Sequence, residues 1–183
     1  VTPVFYDRHT SQEETIRHFE AICKASSIDI FIYNIPLFTG ENIRADTVLR
    51  IAQFDHIAGY KDSSGSYGAF AQVVAELGAT SFCCLQGVTP LGLPSVLMGA
   101  DGFVPTLAAR FPRLFAMAYR AAARRDVART VALDALVRES SKILSMSKNA
   151  TAAAKHAIST LGFTRPDVYA PQDFVLPEEQ TRI

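Results

Sequence analysis

At 183 residues the chain has the length of one ordinary domain and enough material for a real core. Apolar residues make up 49% and charged residues 20%, a globular composition that excludes intrinsic disorder. Lys+Arg and Asp+Glu cancel at 18 each, which removes the electrostatic case for nucleic acid or an acidic membrane as partner. Arg120, Arg124, Arg125 and Arg129 come closest to a basic patch, and their spacing on a polar helix face reads as a solvated surface. Cys23, Cys83 and Cys84 form no C-x-x-C motif, so free thiols in a reducing compartment are expected. No signal peptide and no bilayer-length apolar run stand out, and the expected location is cytoplasmic.

In chain order, "SQEETIRHFEAICKAS" opens with a capping box, Ser11 with Glu14, and aligns Ile16, Phe19 and Cys23 on one helix face. "DIFIYNIP" is a buried strand stopped by Pro36. "RADTVLRIAQF" returns to helix, with Val48, Ile51 and Ala52 aligned, and "IAGYKD" to strand. "YGAFAQVVAEL" carries the cleanest helical stripe, Phe70, Val73, Val74 and Leu77. "TSFCCLQG" is strand, with Cys83 and Cys84 on opposite faces; "PLGLPSVLMG" is a short helix and "GFVPT" a strand. Helices follow from about Arg113 to Arg124 and from about Asp126 to Ser145. "TAAAKHAISTLGF" is helical, and "TRPDVYAPQDFVLPEEQ" is proline-punctuated extended chain, an appendage outside the domain.

Strand and helix in strict alternation, with strands apolar on both faces, describe a parallel sheet covered by helices. An open doubly wound sheet and a closed (β/α)₈ barrel share that rhythm, and the lack of a glycine-rich phosphate loop weighs against the nucleotide-binding form. A barrel needs eight strands and typically ~250 residues, so a chain of this length is expected to begin mid-fold. In either architecture ligands bind where strands end. Tyr33 and Asn34 close the first strand, Lys61 and Asp62 the second, and Thr106 "GFVPT". A lysine, a tyrosine and a threonine at one mouth suit imine chemistry, because burial favours the neutral amine and a phenol relays protons. Each also has a plain structural reading: a strand-end lysine snorkels to water, and a core tyrosine merely satisfies its hydroxyl. The residues by themselves carry the argument to an α/β domain with a lysine site.

"YNIPLFTG" (Tyr33 to Gly40) and "GYKDSSG" (Gly59 to Gly65) resemble the paired Y-N-x-P-x-x-T-G and G-x-K-[DE]-x-[ST]-G stretches of the dihydrodipicolinate synthase / N-acetylneuraminate lyase superfamily, pyruvate-dependent class I aldolases. The Tyr33-to-Lys61 interval also matches, and "VTPVFY", "LQG", "GADGFVPT" and the C-terminal helices fall in family order, so the resemblance covers essentially the whole chain. It implies a (β/α)₈ TIM barrel with a C-terminal helical extension, the N-terminal strands missing from this chain. Residues 1–112 would be the C-terminal portion of the barrel, and 113–183 the last barrel helix with the extension. It implies that Lys61 forms a Schiff base with pyruvate or another 2-keto acid and that Tyr33 shuttles protons. Gly87, Thr106 and the backbone at Val104 would line the pocket, with Thr39, Ser63 and Thr89 as further substrate-binding candidates. No metal or organic cofactor is implied, and a homo-oligomer, dimer or tetramer, is. The family's G-[TS]-T-G-E segment, which holds the pyruvate carboxylate, belongs upstream of "VTPVFY". The aromatic exchanged between subunits in many members falls at Phe5 or Tyr6.

Two departures narrow the substrate. Dihydrodipicolinate synthases carry an arginine two residues after the proline of Y-N-x-P, where this chain has Phe38, and a phenyl ring offers no anion site. Sialic acid lyases follow the strand-ending glycine with an aromatic and two acids, where this chain has Val88, Thr89 and Pro90. The resemblance then implies a lyase cleaving a 2-keto-3-deoxy sugar acid to pyruvate and an aldehyde. The alternatives are a dehydratase or condensing enzyme of the same family, or a non-catalytic keto-acid binder, for which an imine-forming lysine would have no use.

Overall fold

The computed structural model describes residues 1–3 and 11–183. Phe5 and Tyr6 lie outside the described residues. The chain divides into two compact units, Val1–Val104 and Pro105–Ile183.

In the first unit, α1 (Gln12–Ala25) begins at Ser11, whose side chain accepts from the Glu14 N–H while Glu14 reaches back to the Ser11 N–H. Strand β1 (Ile30–Asn34) ends against Pro36, which has no N–H to continue a ladder and instead opens a single turn, α2 (Pro36–Thr39). The chain continues through α3 (Ala45–Ile51), β2 (Ile57–Asp62), α4 (Tyr67–Leu77), β3 (Cys83–Gln86), α5 (Thr89–Leu97) and β4 (Gly102–Phe103). The four strands pair in the order β1-β2-β3-β4, all parallel, the consecutive order of a (β/α)₈ barrel wall. Val1 lies along the outer edge of β1, its amino group donating to the Phe31 carbonyl and its carbonyl accepting from the Tyr33 N–H, both at 2.7 Å.

The core fills one side of this sheet. Ile32, Tyr60 and Cys84 face Phe19 of α1, Val48 and Ile51 of α3, and Phe70 and Val73 of α4. Residues of the opposite parity, Phe31, Tyr33, Lys61 and Leu85, stay half-buried on the other side. Cys84 is fully buried and Cys83 less so, as alternation requires. Burial, with the nearby Asp101 carboxylate, pushes the Cys84 thiol up to about 12, which keeps it protonated and inert. "GFVPT" is shorter as a strand than its composition predicts, because Pro105 cannot donate to a ladder and the chain turns into a 3-10 helix, Thr106–Ala109.

In the second unit, α6 (Pro112–Ala123) packs on α7 (Val127–Ser141), burying Phe115, Ala118, Ala121 and Ala122 of one and Thr130, Leu133 and Val137 of the other. The span expected as one helix to Ser145 tightens into 3-10 geometry over Lys142–Ser145. Helix α8 (Ala150–Ser159) is capped by Asn149, and the terminal extended chain closes with one turn, α9 (Pro177–Gln180). Among the described residues no helix is long and apolar enough to cross a membrane.

Gly59 in β2 tests the packing of the sheet. A Cβ there would stand 2.4 Å from the Phe31 ring and 2.5 Å from the Cys83 carbonyl oxygen. Backbone cannot step aside as a flexible side chain can, so Gly59→Ala is expected to lose about 1–3 kcal/mol of stability, read from the chemical denaturation midpoint.

Candidate active site

The register of β1 against β2 sets Tyr33 opposite Lys61, and β2 against β3 sets Lys61 opposite Leu85. All three project to the side of the sheet away from the core, and the Lys61 Nζ sits over the Tyr33 ring, 4.2 Å from its centroid. That distance is a cation–π contact. The lysine is neither sealed nor fully in water: it is half-buried with its Nζ against an aromatic face.

One step further along, the strands end in three polar residues in one row, Asn34, Asp62 and Gln86, each 1% exposed and turned toward the helix layer. Asp62 gathers donors: the Asn34 amide at 2.8 Å, the Tyr60 hydroxyl at 2.9 Å and the Ser64 hydroxyl at 3.0 Å. Asn34 also donates to Asn42 at 2.8 Å and accepts from the Ile43 N–H at 3.0 Å, which ties the chain after α2 to the end of β1. The Gln86 carbonyl side chain accepts from the Val88 N–H at 2.8 Å, turning the chain into α5. These side chains satisfy one another, as buried polar groups must. The signal for their role in the sequence is parity, since Asn34 follows Ile30 and Ile32 on the buried face.

The backbone pairs one row beyond the strands. Ser63 donates to the Asn34 carbonyl at 2.8 Å, Gly87 to that of Asp62 at 2.6 Å and Val104 to that of Gln86 at 2.8 Å. Ser63, Gly87 and Val104 therefore line up just past Lys61 and Leu85, with the parity of the open face. A Cβ on Gly87 would fall 2.0 Å from the Ser63 Oγ, so this close approach requires glycine. Thr89, half-buried, is the first residue of α5. Thr39 is 3% exposed, and its hydroxyl bonds the carbonyls of Ile35 and Glu41 within its own turn. Thr106 is exposed and opens the 3-10 helix of the second unit. Among the described residues no cluster of three or more His, Cys, Asp or Glu side chains is arranged to hold a metal ion.

The model of the Dihydrodipicolinate synthetase family matches residues 1–182. A 4-hydroxy-tetrahydrodipicolinate synthase of Neisseria meningitidis serogroup B is 34% identical over 172 residues, an alignment covering 91% of this chain and 56% of that protein. The chain thus spans little more than half the length of such relatives. Among solved structures, dihydrodipicolinate synthase from Bacteroides thetaiotaomicron superposes with a TM-score of 0.91 at 30% identity, over 99% of this chain and 62% of that one. A variant of Sulfolobus solfataricus 2-keto-3-deoxygluconate aldolase superposes at 0.83 with 18% identity, over 99% and 60% of the two chains, a likeness of fold.

Two outcomes test the buried row. Asp62→Ala strands the donors of Asn34, Tyr60 and Ser64 without water, and a loss of about 2–4 kcal/mol is expected in the denaturation midpoint, with Asp62→Asn losing less. Burial first, then the Asp62 carboxylate, holds the Tyr60 phenol far above its ordinary value of 10. The folded chain therefore keeps that proton more tightly than the unfolded chain. This contribution is whole below pH 10 and drains away as pH rises beyond it. Tyr60→Phe should flatten the alkaline decline in melting temperature.

Proposed function

The chain belongs to the dihydrodipicolinate synthetase family, and from that membership we propose that it is a class I aldolase-type lyase in which Lys61 forms a Schiff base with a 2-keto acid. The observation that carries this reading is the Lys61 Nζ held 4.2 Å from the Tyr33 ring centroid on the open side of the sheet. Deprotonated Lys61 adds to the C2 carbonyl, and the carbinolamine loses water to give the imine. Protonated, the imine is again a cation, and the ring face that holds the ammonium stabilises it in turn. Loss of the C4 hydroxyl proton breaks the C3–C4 bond, the electron pair moves into an enamine, and an aldehyde departs. Protonation at C3 and hydrolysis then release pyruvate and restore the amine. Tyr33 gives and takes the protons at the carbinolamine and the C4 oxygen. Ser63, Gly87 and Val104 border the bound keto acid, while Thr39 shapes the loop after β1 and Thr89 the start of α5. Thr106 is proposed as a substrate-binding residue on family membership alone.

The substrate proposed is a 2-keto-3-deoxy sugar acid. Phe38 is 74% exposed in the turn after Tyr33, and no lysine or arginine stands between Tyr33 and Ile43, so the turn offers no cation to a second carboxylate. A second reading, condensation of pyruvate with an aldehyde through the same imine, is favoured by the names of the more similar relatives, which are synthases. Both readings take the working protein as a homo-oligomer, dimer or tetramer.

Intact-mass spectrometry after incubation with pyruvate and borohydride reduction is the direct test. A reduced-pyruvate increment on the peptide carrying Lys61, absent in Lys61→Ala, is the expected result; an unmodified Lys61 in the folded full-length protein rules the mechanism out. Tyr33→Phe should retain some adduct while slowing turnover about 10²–10⁴-fold. Release of pyruvate from 2-keto-3-deoxy acids separates the lyase from the condensing enzyme.

A further inference from the structure

The chain is electrically neutral as a whole, yet the ten residues from Arg120 to Arg129 hold four arginines and a single acid, Asp126. The turn between α6 and α7 brings three of those arginines to one place. Arg125 adopts a left-handed conformation, φ 58°, and its N–H bonds the Ala122 carbonyl at 2.9 Å while the Asp126 N–H bonds that of Ala121 at 3.0 Å. Glycine usually takes this position, and its use here by a bulky residue reverses the chain sharply. Arg120 and Arg124, four apart on α6, then share a cavity of about 270 Å³ with Arg129 of α7. Met117, Ala121 and Asp126 complete its lining.

None of these three guanidinium groups is in an ion pair with a described residue, whereas Arg138 further along α7 is matched by Asp134 at 2.7 Å. The Arg120 Nε donates to the Ala116 carbonyl at 3.0 Å, which orients the group and leaves its terminal nitrogens for another acceptor. The Asp126 carboxylate takes the Arg129 N–H at 3.1 Å as the cap of α7. Three like charges crowded on one cavity repel unless an anion sits among them. Three guanidinium charges against one carboxylate leave the lining two positive charges in excess, the complement of a dianion.

We propose that this cavity is a binding site for the phosphate dianion, free or as the phosphoryl group of a small monoester. A carboxylate is planar and is satisfied by one guanidinium fork; a tetrahedral phosphate presents oxygens to several forks at once. At about 270 Å³ the cavity has room for phosphate and for a monoester of a few carbons. The site lies wholly within the second unit and does not depend on the chemistry proposed for Lys61.

Isothermal titration of the full chain at low ionic strength, with inorganic phosphate and with glycerol 3-phosphate as probes, tests it. Saturable binding is expected, weakened about tenfold or more by Arg120→Gln or Arg124→Gln. It should be unchanged by Arg113→Gln, a control at the start of α6 outside the cavity lining. Glutamine keeps the helix propensity of arginine, and these side chains are exposed, so the variants are expected to melt as the parent does. Tighter binding of the ester identifies a phosphorylated metabolite as the ligand, and equal or weaker binding identifies free phosphate. Failure of both probes to bind, or an equal loss in Arg113→Gln, overturns the proposal.

Discussion

The pairing of β1 with β2 is the constraint on which the candidate site depends. It places Tyr33 opposite Lys61 and, one residue on, Asn34 opposite Asp62. Those two pairs point to opposite sides of the sheet, so the pair proposed for the chemistry and the buried polar pair are set by a single register. A slip of one residue would turn Lys61 into the helix layer and Asp62 out of it. The hydrogen bond that Asp62 accepts from Asn34 across the two strands opposes that slip, because both groups would lose a partner where water cannot replace it. Side-chain polarity on the buried face thereby fixes which residues stand on the other face.

The same division separates the packed face from the face that carries Lys61. Hydrophobic packing is complete on the helix side, where Phe19, Ile32, Val48, Ile51, Phe70 and Cys84 leave almost no exposed surface. On the other side of the sheet the Lys61 Nζ lies over the Tyr33 ring, 4.2 Å from its centroid. Backbone bonds from Ser63, Gly87 and Val104 to the preceding strand ends carry the order of the sheet one row beyond it. Residues proposed to border the site are thus held by backbone bonds to the strand ends.

Charge is distributed by the same logic of local need. The neutral total conceals an arginine-rich turn between α6 and α7, while Arg44, Arg50 and Arg165 are each matched by an acid close in space. Exposed pairs of that kind add little stability. The information lies in where matching fails, around the cavity shared by Arg120, Arg124 and Arg129.

Much of the fold is local and therefore written in the sequence. The Ser11–Glu14 cap, the stripe of Phe70, Val73 and Val74 and the proline after Asn34 each act within a few residues, and each forms as its pattern predicts. The paired motifs around Tyr33 and Lys61 likewise identify the family, because residue types at a set spacing survive without coordinates. What the sequence alone did not decide is long-range. The buried partnership of Asn34 with Asp62 and the gathering of three arginines on one cavity both depend on groups brought together in space. Local propensity sets each element; only the register between strands and the turn between helices determines which side chains meet, since those contacts join residues that are distant along the chain or whose direction a single backbone angle reverses.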